Sequence, residues 1–401
     1  MKEKNPKILI VLDNNLDFDI RVKNEINILK DANFRISVMC FHFDQEKVNS
    51  YTDIEVIRIP IKRKKKNKLF LLASWTPFYS RFWCNHILRE LKRKKYDLIY
   101  SHDLYMIGAV HMALSRFKGS IPFVIDLHEH YAAAVETYSW TKKFPRKQIS
   151  RPWNWYRKEK KDLKHPDLCI TLSDTFSERL SKLTQRKIDD FFAFPNITPN
   201  PPLYELKIDL PFNHNNVLFL YYGAIAERRG IFDLLEVFLT LANISPNSKL
   251  LLIGPVDKAD KARFDSYLND PKLKENTHYI PWIENKYWIN YAQISDFCLA
   301  PFHVNPQHNS GVANKIYQYL QAGKFIIASN CIPQKNLITK FKAGTIFESN
   351  EELVQAIINC SENIDLYKEK GQKAASLFRE QNIFEKNAKS YVKRVSKLIN
   401  K

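Results

Sequence analysis

The sequence predicts an α/β protein built from two parallel sheets whose strands are joined by crossover helices. Three observations predict it. Short apolar, β-branched runs alternate with stretches whose apolar residues recur every three or four positions, the pattern of strands linked by helices. The alternation occurs twice, on either side of FPNITPNPPLYELKIDLPFNHNN (194–216), a stretch rich in proline and asparagine. Runs such as FIIAS are apolar at every position, as strands covered on both faces are. At 401 residues the chain is long enough for two domains. The expected division is 1–200, 201–375, and a closing helical segment, 376–401, that packs back toward the first domain.

The elements follow in order. KILIVLD (7–13) is a strand. After the loop NNLDFD, the stretch IRVKNEINILKD is a helix with Val22, Ile26 and Leu29 on one face. RISVMCF (35–41) and YTDIEVIRIP are the next strands. Residues 62–95 combine basic clusters with Leu69, Phe70, Trp75, Phe78, Phe82 and Trp83. This suits either a core helix with solvated basic ends or an anionic membrane surface. YDLIYSHD (96–103) and FVIDLHEHY (123–131) are strands ending in polar clusters, His102 with Asp103 and Asp126 with His128, Glu129 and His130. Ligands of open α/β sheets bind beyond such strand ends. RPWNWYRKEKKDLKH (151–165) is a basic aromatic helix and LCITLSD (168–174) a further strand.

The second half begins with the strand VLFLYYG (217–223) and a turn, AIAERR, leading into a helix from Gly230. KLLLIG, THYIPWI and DFCLAPF are strands. The polar loop PFHVNPQHNSG then opens SGVANKIYQYLQAGKFIIASN, read as a helix with Val312, Ile316 and Leu320 on one face, a stop at Gly323 and a buried strand. Asn314 and Gln318 share a helix face. The start of this helix offers unpaired N–H groups and a positive dipole end to an anion such as a diphosphate. Residues 350–399 are helical and amphipathic.

The formal net charge is +19, which favours anionic partners. No nucleic-acid motif accompanies it, so no nucleic-acid partner is expected. The six cysteines form no C-x-x-C pair, which points away from a disulfide framework or a zinc site and fits a reducing compartment. The chain enters its first strand without a signal peptide, and no apolar run approaches the ~20 residues of a membrane span. The expected location is cytoplasmic, peripheral at the inner face of the plasma membrane.

DFDIRVKNEINILKDANFRISVMC, the pair YSHD and IDLHE, GAIAERRG and NKIYQYLQAGKFIIAS, taken in that order, resemble motifs of the retaining glycosyltransferases of family 4. The resemblance covers nearly the whole chain. It implies the GT-B fold, two Rossmann-like domains facing a central cleft, with an acceptor-binding first domain and a nucleotide-sugar-binding second. It implies transfer of a hexose-type sugar from a UDP- or GDP-linked donor, with retention, to a growing cell-surface polysaccharide on a lipid-linked acceptor. No metal and no cofactor are expected, the nucleotide-sugar being the substrate.

The resemblance assigns catalytic roles to His128, as a neutral imidazole near the donor sugar, and to Arg229. It assigns donor binding to Asn14, Asn15, Gly223, Arg228, Ser310, Gly311, Val312, Ala313, Asn314, Lys315 and Gln318. His102, Asp103, Asp126 and Glu129 contact the acceptor or orient the turn. Two departures stand out. Ser310 and Gln318 occupy the positions where the family commonly has two glutamates eight residues apart, and Ala224 stands where many members have arginine. A non-catalytic GT-B-like scaffold or binding subunit of a glycan assembly complex is the alternative those departures leave open.

Overall fold

The computed structural model describes residues 5–44, 49–138, 141, 144–197 and 202–400. The expected boundary at 200/201 lies outside the described residues. The chain divides into one compact unit of residues 1–196 with 385–401 and another of residues 197–384.

The first unit contains a seven-stranded sheet of order β3-β2-β1-β4-β5-β6-β7, parallel throughout. Its strands are β1 (Lys7–Leu12), β2 (Arg35–Phe43), β3 (Glu55–Ile61), β4 (Leu98–His102), β5 (Phe123–Asp126), β6 (Leu168–Thr171) and β7 (Phe191–Ala193). In β1, Leu9 and Val11 enter one apolar cluster while Ile8, Ile10 and Leu12 enter the other, so both faces are covered. Residues 62–95 resolve into two helices, Arg63–Leu71 and Phe78–Arg93, separated at Pro77, which cannot donate within a helix interior. The first of them has no buried residue. The last helix, Ile383–Ile399, brings Tyr391 and Val395 into the cluster of Ile8, Ile10 and Tyr100, with Tyr391 stacked on Phe194.

The second unit contains a six-stranded parallel sheet of order β10-β9-β8-β11-β12-β13. Its strands are β8 (Val217–Tyr222), β9 (Ser248–Ile253), β10 (Thr277–Ile280), β11 (Phe297–Ala300), β12 (Phe325–Ser329) and β13 (Gly344–Phe347). The helix expected from Gly230 is Ile231–Ile244, with Gly230 as its cap at φ 71°. A Cβ on Gly230 would lie 1.7 Å from the Pro301 carbonyl oxygen, so no other residue fits. The helix after the polar loop is Asn314–Gln321. Val312 therefore precedes it, and only Ile316 and Leu320 of the expected apolar row are buried helical residues. All six cysteines are buried and free. Among the described residues, no helix is long and apolar enough to cross a membrane.

Candidate active site

Each sheet reverses its strand order at one point, between β1 and β4 in the first unit and between β8 and β11 in the second. The crevice beyond the carboxyl ends at such a point is where open α/β sheets bind ligands. The residues singled out from the sequence gather at both.

In the first unit, the helix Ile20–Asp31 starts at Asp19, whose side chain accepts from the Val22 N–H at 3.1 Å. That fixes Arg21 in the first turn. Its Nε and Nη2 donate to the two oxygens of Asp126, each at 2.8 Å, and Nη2 also donates to the Phe194 carbonyl at 3.1 Å. Glu25, one turn on, lies 3.1 Å from Arg21 Nε. The segments DFDIRVKNE and IDLHE are thus joined by a bidentate ion pair, the strong geometry for arginine and carboxylate. His102 Nδ1 and His128 Nε2 are 3.0 Å apart. His128 Nε2 is 3.5 Å from Asp126, and His102 Nε2 is 3.9 Å from Glu25.

Burial and charge divide the protons among these groups. Burial opposes ionisation of Asp126, yet Arg21 and His128 hold it well below the usual carboxylate range. Burial and the neighbouring Asp126 push Glu25 well above that range, with Arg21 opposing the shift. Burial and the charge of His128 hold His102 well below the ordinary imidazole value. For His128 burial again opposes the charge, but Asp103 and Asp126 raise it to about 9. The neutral imidazole expected from the sequence is therefore an imidazolium at neutral pH. It is a hydrogen-bond donor and a local positive charge rather than a proton acceptor.

Asp103, at φ 70°, donates its backbone N–H to the Asp126 carbonyl at 2.7 Å, and its carboxylate accepts from the Tyr105 hydroxyl at 2.7 Å. Glu129 accepts from the Tyr138 hydroxyl at 2.7 Å. Asn15 is fully buried, and its side chain accepts from the Asp17 N–H at 3.1 Å and from Arg58 at 3.3 Å, which makes it a cap. Asn14 is exposed. The ligand-type atoms of His102, Asp126 and His128 lie within 4.8 Å of one another. The two imidazole nitrogens face each other, and Arg21 takes both carboxylate oxygens of Asp126.

In the second unit, β8 ends at Gly223, at φ 136°. A Cβ there would lie 3.1 Å from Lys315 Nζ. Lys315 is 5% exposed. Its Nζ lies 3.4 Å from the centre of the Tyr221 ring and 5.1 Å from that of Phe302, and among the described residues it has no hydrogen-bond partner. Burial, then the positive charge of Arg229, push its ammonium well below the usual lysine value. The guanidinium of Arg229 sits 5.8 Å from the Phe302 ring centre, and its buried Nε is also without a partner. Two basic side chains thus share one aromatic wall with, among the described residues, no carboxylate paired to either. A buried polar group left this way is costly unless something binds it.

Arg228 is paired with Asp257 at 2.8 Å. Ser310 is buried and donates to the Gln307 carbonyl at 2.6 Å. Gly311, Val312 and Ala313 are half-buried and lead into Asn314–Gln321, a helix with no side-chain cap on its first N–H groups. Asn314 is exposed and Gln318 half-buried.

Three participants escaped the sequence reading. Arg21 and Glu25 were visible only as part of a resemblance. The third is His308, whose Nδ1 is 2.7 Å from the His303 carbonyl. Burial lowers it to about 4, with Arg229 and Arg228 adding to the effect, so the ring is neutral. With Nδ1–H donating, its Nε2 is an acceptor.

Residues 20–189 match Glycosyltransferase Family 4, and residues 205–377 match Glycosyl transferases group 1. The chain is 24% identical over 333 residues to an alpha-monoglucosyldiacylglycerol synthase of Acholeplasma laidlawii, covering 78% of this chain and 77% of that one. Among solved structures it resembles the sucrose-phosphate synthase of Thermosynechococcus elongatus, with TM-score 0.73, 15% identity, and 98% and 99% of the two chains covered. It also resembles Anabaena HepE in complex with UDP and glucose, with TM-score 0.69, 14% identity, and 98% and 100% covered. The departures at Ser310, Gln318 and Ala224 leave the classification intact: the chain belongs to the family 4, group 1 glycosyltransferases of GT-B fold, enzymes that use a nucleotide-sugar donor.

Proposed function

We propose that this enzyme transfers a hexose from a UDP- or GDP-linked donor, with retention and without a metal, to the hydroxyl of a lipid or lipid-linked glycan at a membrane surface. The observation that carries the reading is the pair Lys315 and Arg229, left without carboxylate partners under the Gly223 turn. A departing nucleoside diphosphate gathers negative charge as the sugar becomes oxocarbenium-like. The Arg229 guanidinium, the Lys315 amine and the uncapped amides before Asn314 supply preorganised donors to that charge without solvent reorganisation. Gly223 lets the diphosphate approach the backbone, and Gln318 offers its carbonyl oxygen to the ribose where a glutamate is usual. The second unit is thus the donor domain. The first is the acceptor domain, where the His128 N–H serves a sugar hydroxyl.

The lipid acceptor draws support from the named product of the Acholeplasma relative, a glucosylated diacylglycerol. UDP draws support from the HepE complex. The test is radiolabelled transfer from UDP- and GDP-hexoses to membranes and to diacylglycerol vesicles in the presence of chelator. Labelled lipid or lipid-linked glycan is the expected product. Label that remains in the donor with every acceptor would overturn the assignment.

A further inference from the structure

Two segments far apart in sequence are pinned together in the first unit. The Trp75 indole N–H donates to the Ile149 carbonyl at 2.8 Å, and the Ser74 hydroxyl donates to the Ser150 carbonyl at 2.5 Å. The Arg151 guanidinium lies 4.6 Å from the centre of the Trp75 ring. Behind them Phe70 stacks on the buried Trp155 at 6.3 Å. Despite these ties the pair leaves large apolar side chains in water: Trp75 at 46% exposure, Phe78 at 52%, Ile149 at 40%, Trp153 at 45% and Tyr156 at 37%.

The charge within the two segments is almost entirely positive, and the acid nearest the face is the exposed Glu136, which accepts from the Tyr156 hydroxyl at 3.4 Å. Residues 62–89 contain no aspartate or glutamate. Residues 144–161 contain one, Glu159, which is 2% exposed and paired with Arg179 at 2.6 Å. The lysines and arginines of both segments are mostly exposed. Exposed aromatics among many cations and few acids complement an anionic bilayer: the indoles and phenyl ring reach the headgroup boundary while the cations meet phosphates.

We propose that residues 62–83 and 144–161 form one bipartite face that docks on an anionic lipid bilayer, with the second segment as necessary as the first. The inference deepens the membrane-surface part of the proposed function and is independent of the donor chemistry. The first segment presents Trp75 and Phe78 and the second Phe144, Ile149, Trp153 and Tyr156, so the hydrogen bonds that pin the two together build the face.

The test is co-sedimentation of the full chain with vesicles of phosphatidylcholine, alone or with phosphatidylglycerol. The wild type is compared with W75S/F78S and with W153S/Y156S, and UDP binding is followed by calorimetry in all three. The expected result is partition to the anionic vesicles only, weakened at least about tenfold by either pair, with UDP affinity unchanged. Wild-type partition by W153S/Y156S would overturn the bipartite face. Equal binding to neutral vesicles, or binding to a single-stranded oligonucleotide that the same variants weaken, would overturn the anionic bilayer as its partner. Loss of UDP binding by the wild type would instead count against the donor reading and leave the face standing.

Discussion

Lys315 is the residue on which the donor reading turns, and its environment separates function from stability. A buried lysine beside another cation, met only by the faces of Tyr221 and Phe302 among the described residues, costs stability. Lys315→Met keeps the side-chain length and removes the charge. The expected outcome is a urea midpoint equal to or above wild type, by about 1–2 kcal/mol, with donor turnover lost. A large destabilisation would mean that Lys315 is a structural residue. Arg229→Ala is expected to lower kcat by about 100-fold or more with an unchanged circular dichroism spectrum, the scale of losing one preorganised donor to a transition-state anion.

The two histidines act on stability in separate pH windows. His128 is raised from 6.5 to about 9 in the folded state, so it stabilises the fold fully below pH 6.5, and that contribution disappears as pH rises from 6.5 through 9. His102 is lowered, so it destabilises progressively as pH falls below 6.5. Chemical denaturation across pH should therefore show a decline above pH 6.5 that His128→Gln removes. A decline that survives this substitution would assign it to another group.

Neither Lys315 nor the Arg21–Glu25–Asp126 cluster could be read from hydropathy. Charged side chains are ordinarily outside, and nothing in a helix pattern says which lysine or arginine turns inward. Arg21 sits beside Val22 on a helix whose apolar face was legible, yet its partner is 105 residues away. His128 was singled out because it follows closely on a strand, β5, which ends at Asp126. Its charge was not legible, because that depends on Asp103 and Asp126, which only the folded sheet brings beside it.

At the scale of elements, most of the architecture was legible because buried parallel strands announce themselves as apolar β-branched runs. The missed strands are the short ones. β7 contains three residues, FFA, and β13, GTIF, begins with a glycine; both lie at sheet edges, where pairing rather than sequence decides the strand. The helix from Arg63 to Leu71 was legible as basic and aromatic, but not as separate from Phe78–Arg93, because apolar residues continue through Pro77. The turn after β8 gives the element-scale prediction. Gly230→Ala places a methyl group in the Pro301 carbonyl and forces a left-handed conformation, and it should destabilise the second unit by about 3 kcal/mol or more. Limited proteolysis and urea titration would detect this; wild-type stability would show that the turn can rearrange.

For the whole molecule, the twofold repetition of strand and helix told of two Rossmann-like sheets before any contact was known. The linker composition marked a change of unit, while the return of Glu385–Lys401 to the first unit rests on Tyr391 and Val395, two residues of an amphipathic helix whose partner no periodicity names. The large positive charge should also speed capture of an anionic donor, so the association rate of UDP is expected to fall as salt is raised, measured by stopped flow. A rate indifferent to salt would confine electrostatics to the bound state. The most direct test of the central claim is titration calorimetry of UDP and GDP into the wild type and Lys315→Met. The account predicts binding of at least one nucleotide by the wild type and no measurable heat for the variant. Equal affinity in both proteins would contradict it.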